Sequence, residues 1–247
     1  MDLKEFFKEN KKAALAFSGG VDSAYLLSEA LKAGADVRAY CVCSEFQPVF
    51  EFEDARRLTE FLGADLVQIT QSVLGDETIT SNPEDRCYHC KIRIMSAIKE
   101  AAWEDGYEIL IDGTNASDDA DDRPGMRALS ELGVRSPLRE CGITKEEVRA
   151  GAKAAGLDVW DKPAYACLAT RVPCGEKITE AKLKGTEKAE RILYDMGFRD
   201  FRVRWRGHDG LVQLKADQLD EGFDREDEIR TALGRIYDMV EIDEEPR

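Results

Sequence analysis

Apolar and polar positions follow two different periods along the first 160 residues, and each change of period marks an element. Asp2 and Glu5 are placed to cap a first helix running to about residue 10. Residues 13–17 form a short, unbroken apolar run, the mark of a strand buried on both faces, and 23–33 carry helical spacing that stops at Gly34. The same reading gives a strand at 37–42, a helix at 52–62 ended by Gly63, and a strand at 66–69. The polar stretch 71–85 reads as a loop, 86–104 as a helix stopping near Gly106, and 109–112 as another short strand. Thr144 and Glu147 form a capping box for a helix to about residue 155. Strands and helices in strict alternation predict an α/β, Rossmann-like fold with a parallel sheet covered on both faces.

Beyond about Pro163 the rhythm changes. Residues 179–196 read as one long helix, 201–206 and 211–215 as a hairpin around 207–210, then a final helix and a strand at 239–242. This predicts a parallel-sheet domain over 1–162 and a small α+β domain over 163–247.

Composition narrows the function classes. The hydrophobic fraction of 43% is ordinary for a globular chain, and no window approaches the ~18 apolar residues of a membrane span. The start, MDLKEFFKENKK, lacks the basic region and apolar core of a secretory signal, so a cytoplasmic location is expected. A net charge of −15 argues against binding nucleic acid over a broad surface, though a local basic site is compatible with it. Seven cysteines, an odd number in such a chain, point to metal, redox or sulfur chemistry rather than a disulfide framework.

The stretch ALAFSGGVDSAYLL at 14–27 is where that chemistry starts. Gly19 and Gly20 let backbone approach a ligand, Ser18 and Ser23 add hydroxyls, and the following helix start favours an anion. There is no G-x-x-x-x-G-K-S/T, hence no lysine-bearing Walker loop, and Asp22 suits a magnesium ion or its water shell. The loop resembles SGGxDS of the PP-loop ATP pyrophosphatases, which implies adenylation with loss of pyrophosphate rather than γ-phosphate transfer. A second stretch, IDGTNASDDADDRPGMRAL at 111–129, follows a strand end. Gly113, Thr114 and Asn115 suit close approach to a nucleotide, Asp118, Asp121 and Asp122 could orient Mg²⁺, and Arg123 could meet phosphate. Each of these acids reads equally well as part of a solvated loop.

A third stretch, AYACLATRVPCGEKIT at 164–179, resembles the ACLASR-type segment of the LarE family of ATP-dependent sulfur transferases. SGGVDS, GTNASDDADDRPG, SPL at 136–138 and FRVRWRG extend the resemblance over nearly the whole chain. It implies that ATP adenylates the carboxylates of pyridinium-3,5-dicarboxylic acid mononucleotide, which become thiocarboxylates in nickel-pincer nucleotide biosynthesis. It also implies that Cys167 supplies the sulfur, with Arg171 beside it, and that the chain forms a homo-oligomer, a hexamer being the candidate.

DRCYHCK at 85–91 puts Cys87 and Cys90 in C-x-x-C spacing, from which two thiolates reach one metal or cluster. Some LarE members sacrifice a single cysteine, while others hold a [4Fe–4S] cluster on three. By that resemblance Cys87, Cys90 and Cys167 are the expected cluster ligands. Buried helix cysteines, or a structural zinc site including Cys174, are the other readings of the pair. Core packing is expected for Cys41, Cys43 and Cys141.

In FRVRWR at 201–206, period two puts Phe201, Val203 and Trp205 on one face and Arg202, Arg204 and Arg206 on the other. That is a local anion site in an acidic chain, and the resemblance favours Arg202 and Arg204 as phosphate or substrate contacts. A solvated strand face is the alternative reading. Two other functions share the loop: tRNA thiolation, against which the acidic charge weighs, and nucleotide binding without catalysis, which has no need of the thiols.

Overall fold

The apolar runs and glycine stops of the sequence become, in chain order, α1 (Leu3–Glu9), β1 (Lys12–Ala16), α2 (Val21–Lys32), β2 (Asp36–Cys43), α3 (Val49–Leu62) and β3 (Leu66–Thr70). There follow α4 (Glu77–Thr80), α5 (Arg86–Glu104), β4 (Leu110–Ile111), α6 (Pro124–Leu132), α7 (Pro137–Glu140) and α8 (Lys145–Ala154). A computed structural model describes residues 1–118 and 124–247. It divides the chain into two units, Met1–Ser72 with Asp85–Ala164, and Val73–Glu84 with Tyr165–Arg247.

The first unit carries a four-stranded sheet in the order β3-β2-β1-β4, with every pairing parallel. Register is fixed by Ala13 opposite Val37, Ala14 opposite Leu110 and Ala39 opposite Leu66. Alternate side chains of β1 and β2 enter different cores. Ala13, Leu15, Val37 and Ala39 pack with Phe6, Leu26, Leu27 and Val148 on one side. Ala14, Tyr40 and Val42 pack with Met95, Ile98 and Leu129 on the other. A strand buried on both faces has no polar positions to alternate, which is why 13–17 reads as an unbroken apolar run. Truncating a core side chain such as Leu27 to alanine costs about 2–5 kcal/mol.

The strand order also places the site. From β1 the chain steps outward to β2 and β3, then returns to β4 on the opposite side of β1. Ligands of open α/β sheets bind at the carboxyl ends of strands where the order reverses, and here those ends lead into 17–20 and 112–118.

The second unit contains α4, a 3-10 helix over Leu168–Arg171, α9 (Glu180–Asp195), β5 (Arg202–Arg206), β6 (Asp209–Gln213), α10 (Ala216–Asp224), α11 (Glu226–Leu233) and β7 (Val240–Ile242). Its sheet order is β5-β6-β7, with the expected β5–β6 hairpin antiparallel and β6–β7 parallel. The indole of Trp205 donates to the Thr186 hydroxyl of α9 at 2.9 Å, tying helix to sheet. In the first unit α6 and α7 were not anticipated from the sequence, and in the second unit two further details depart from that reading. The expected single final helix is broken at Arg225 (φ −108°, ψ 17°). The stretch 73–84, read as a polar loop, buries Val73 and Ile79 completely and hydrogen-bonds into this unit. Gly175 N donates to Asn82 O and Ile178 N to Thr80 O, each at 2.8 Å, and the Asn82 amide donates to Pro173 O at 2.7 Å. Among the described residues no helix is long and apolar enough to cross a membrane.

Candidate functional site

Between β1 and α2 the chain must reverse within a few residues. Gly19 does so with φ +72°, and a Cβ there would stand 2.9 Å from the backbone nitrogen of Ala55, so only glycine fits. Gly20 is the N-cap of α2, and no side chain caps the helix. Amides of an uncapped first turn, at the positive end of the helix dipole, are suited to an anion. The Ser23 hydroxyl donates to Gly20 O at 3.1 Å and lies 3.4 Å from Ser18 Oγ. From the other strand end Gly113 comes so close that a Cβ would lie 2.9 Å from Ser23 N.

These residues border a cavity of about 380 Å³, a size suited to a small ligand. Ser18, Asp22, Ser23, Gly113, Thr114 and Asp118 give it polar lining, while Tyr40, Val42, Ile94, Met95 and Ile98 give it an apolar wall. Asn115 takes part indirectly: its amide donates to Asp22 Oδ1 at 3.1 Å, and its backbone N–H donates to Asp118 Oδ2 at 3.0 Å. Asp22 and Asp118 offer the hard carboxylate oxygens that Mg²⁺ takes. Asp121, Asp122 and Arg123 lie outside the described residues.

Two residues here escaped the sequence reading. Buried Asp112 anchors the second loop, accepting 2.6 Å hydrogen bonds from the hydroxyls of Thr114 and Ser136. Lys145 is the first residue of α8, and its ammonium is paired with Asp22 Oδ2. A cation in a helix's first turn is unfavourable by about 0.3–1 kcal/mol, and a partly exposed ion pair returns about 0–1 kcal/mol. The pair therefore adds little stability. The sequence signal was the lysine itself, directly after the capping threonine, against the dipole.

Cys87 lies in the first turn of α5 and Cys90 at the start of its second, exposed and half-buried respectively, so neither is a core cysteine. The Arg86 guanidinium is 3.7 Å from Cys87 Sγ. Soft thiols three residues apart on one helix, outside the core, fit a thiophilic metal or cluster as donors. Within either unit alone, among the described residues, no three His, Cys, Asp or Glu side chains gather around one point. Cys41 is buried, and burial pushes its thiol up to about 12; Cys43 and Cys141 are half-buried and also raised, chiefly by burial. Cys174 is exposed, its thiol 3.4 Å from Asn82 O.

In the second unit Cys167 is the half-buried N-cap of the 3-10 helix, and its carbonyl accepts from Thr170 N (3.0 Å) and Oγ1 (2.8 Å). Arg171, only 1% exposed, holds this segment from beneath. It donates to Glu190 Oε1 at 2.7 Å and Oε2 at 3.3 Å, to Ala166 O at 3.0 Å and to Thr170 Oγ1 at 2.6 Å. Glu190 also accepts from the Tyr165 hydroxyl and from Val203 N. Burial, then the Glu190 charge, raises the Tyr165 phenol well above its usual range.

The arginines of β5 are graded rather than uniformly exposed. Arg202 is buried, stands over the Tyr165 ring and donates to Phe201 O; burial, then the charges of Arg171 and Arg247, lowers it to about 10. Half-buried Arg204 donates to Thr170 O at 2.6 Å, and burial lowers it as well. Arg206 is exposed, 3.7 Å from Glu241. Glu190 was missed, although it falls on the buried stripe of Leu183, Thr186 and Leu193, where an acid is out of place without a partner.

No protein-family model matches the chain. Its fold is similar to that of the NMN synthetase from Francisella tularensis, with a TM-score of 0.51 and 18% identity over 66% of this chain and 72% of that one. An uncharacterized protein of Synechocystis sp. is 37% identical over 89% of this chain and 82% of its own length. The pyridinium-3,5-bisthiocarboxylic acid mononucleotide synthase of Lactiplantibacillus plantarum is 35% identical over 84% of this chain and 76% of its own length. At that identity and coverage the likeness reaches through both units, and the chain is an enzyme of the pyridinium-3,5-bisthiocarboxylic acid mononucleotide synthase, or LarE, family.

Proposed function

We propose that the chain uses ATP to convert the carboxylates of a pyridinium-3,5-dicarboxylic acid mononucleotide into thiocarboxylates, a step in making a nickel-pincer nucleotide. The observation that carries the reading is the uncapped start of α2, closed on one side by Gly113 and opening on the cavity. It supplies amides and hydroxyls for a polyphosphate, but none of the loop lysine that marks γ-phosphate transfer. A carboxylate oxygen of the substrate attacks the α-phosphorus, the bond to the β-phosphate oxygen breaks, and pyrophosphate leaves with the electron pair. A sulfur nucleophile then attacks the acyl carbon and AMP departs. Asp22 and Asp118 would hold Mg²⁺, which neutralises phosphate charge when bound. In the second unit Arg171 and Arg204 support the Cys167 segment, and Arg202 adds positive charge beneath it.

For the sulfur, Cys87, Cys90 and Cys167 would hold a [4Fe–4S] cluster with one iron free to carry sulfide. The thiol pair on α5, exposed at Cys87 and half-buried at Cys90 rather than packed in the core, supports this route. The second route uses Cys167 alone. Its thiolate displaces AMP, a base removes the Cα proton, and the Cβ–S bond breaks, leaving dehydroalanine and the thiocarboxylate. The placement of Cys167 on a cap, held by its backbone while its side chain is half-buried, favours that reading. Anaerobic purification, with iron and acid-labile sulfide counted per chain, separates the two. About four of each, lost in C87A or C90A, is expected of the cluster. An iron-free, active protein whose mass falls by one H₂S per turnover overturns it in favour of Cys167. We place the enzyme in the cytoplasm, and we expect a homo-oligomer, a state that sedimentation of the full chain tests.

A further inference from the structure

Lys145 has no part in the reading above, yet its ammonium occupies Asp22 Oδ2 on the wall of the cavity. Its position is informative. It opens α8, where the dipole disfavours a cation, and its first-turn neighbour Glu147 is engaged in the capping box with Thr144. The lysine therefore reaches away from the adjacent acid to an aspartate in the first turn of α2, 123 residues away in sequence. Its backbone N–H is fixed by a 2.9 Å hydrogen bond to Ser117 Oγ, on the loop that also carries Thr114 and Asp118. The loop after β4 thus fixes the backbone of Lys145, while its side chain meets the helix that follows β1. Asp22 is meanwhile covered on both oxygens, by Lys145 and by Asn115.

We propose that Lys145 is a catalytic residue, held on Asp22 while the cavity is empty and moving to the β-phosphate oxygens when ATP enters. This rests on the ATP reading above. There it stays an ammonium throughout and donates to the oxygens that gain charge as the bond between the α-phosphorus and the bridging oxygen breaks, so no proton changes place. The move frees Asp22 for Mg²⁺, so one aspartate serves the lysine before binding and the cation afterwards. The chain thus obtains, from a helix distant in sequence, the phosphate-bound lysine that its loop lacks.

Calorimetric titration of the full-length protein with ATP, pyrophosphate and AMP, without the acceptor substrate, tests this. In K145M, ATP and pyrophosphate are expected to bind about tenfold to a hundredfold more weakly, the loss of one charge-assisted hydrogen bond, with AMP unchanged. D22N removes the competing anion and is expected to tighten pyrophosphate binding measured with a metal chelator present. If the pair merely bridges α2 and α8, K145M and D22N lower the melting temperature alike and K145M leaves all three affinities as they were. That result overturns the proposal, as does an equal loss for ATP, pyrophosphate and AMP. A wild-type protein that binds neither ATP nor pyrophosphate overturns the ATP reading itself, an outcome distinct from intact wild-type binding with an unaffected K145M.

Discussion

At the start of α2 the chain presents an uncapped helix end to a cavity, whereas around Cys167 the charged side chains are bound to groups of their own unit. The two regions look equally polar in sequence and differ in what their polarity serves. In the first, glycines bring an uncapped helix start to the wall of a cavity, an arrangement suited to an anion. In the second, Arg171, Arg202 and Arg204 are anchored under a cysteine segment, on Glu190, Phe201 O and Thr170 O. The arginine-rich strand is thus tied into its own unit, as a support for the cysteine segment. A glycine-and-hydroxyl loop is the better mark of a ligand.

That contrast breaks most visibly at Glu190. Removing it in E190A leaves the buried Arg171 guanidinium without its carboxylate, and the account expects a loss of about 3–5 kcal/mol, read as a large fall in melting temperature. E190A melting like the wild type would mean that the second unit does not depend on this pair. On the other side of the comparison, G113A drives a methyl group toward Ser23 N, and ATP affinity should fall roughly tenfold or more while stability changes less than in E190A. Titration alongside thermal melting gives both values.

A smaller effect concerns pH. Burial alone would raise Asp200, but Lys215 and Arg247 more than offset it, so its carboxyl lies below 3.8 in the fold. A depressed carboxyl stabilises above its unfolded value, and the contribution disappears as pH falls through the folded one. D200N should therefore flatten the loss of stability below about pH 4, followed by urea unfolding across that range. Smallest is R206A: its side chain and that of Glu241 are both exposed, and a change within about 0.5 kcal/mol is expected from the same unfolding curves.

The legible parts of the fold were those where one local rule sufficed. β1 and β2, buried on both faces, declare themselves as apolar runs, and α8 declares itself by its capping box. Residues 73–84 were illegible because their burial depends on hydrogen bonds from Gly175 and Ile178, about a hundred residues later. The site divides in the same way. The close approaches to Ala55 and Ser23 that hold Gly19 and Gly113 to glycine appear only in the fold. Gly19 and Gly20 were nonetheless readable from the strand-to-helix turn they occupy, and Gly113 from its place after a strand end. Lys145 and Glu190 were not, since each acts on a partner brought near only by the fold. Each did leave a trace, a cation at a helix start and an acid on an apolar stripe.

The central claim is attack on the α-phosphorus by a substrate carboxylate, and an isotope experiment tests it most directly. The dicarboxylate mononucleotide, its carboxylates labelled with heavy oxygen, is turned over with Mg·ATP and a sulfur source, and the phosphate products are weighed by mass spectrometry. The account predicts label in AMP and none in pyrophosphate, because the carboxylate oxygen stays on the α-phosphorus when sulfur displaces it. Formation of ADP and labelled inorganic phosphate, or of unlabelled AMP alongside thiolated product, would contradict it.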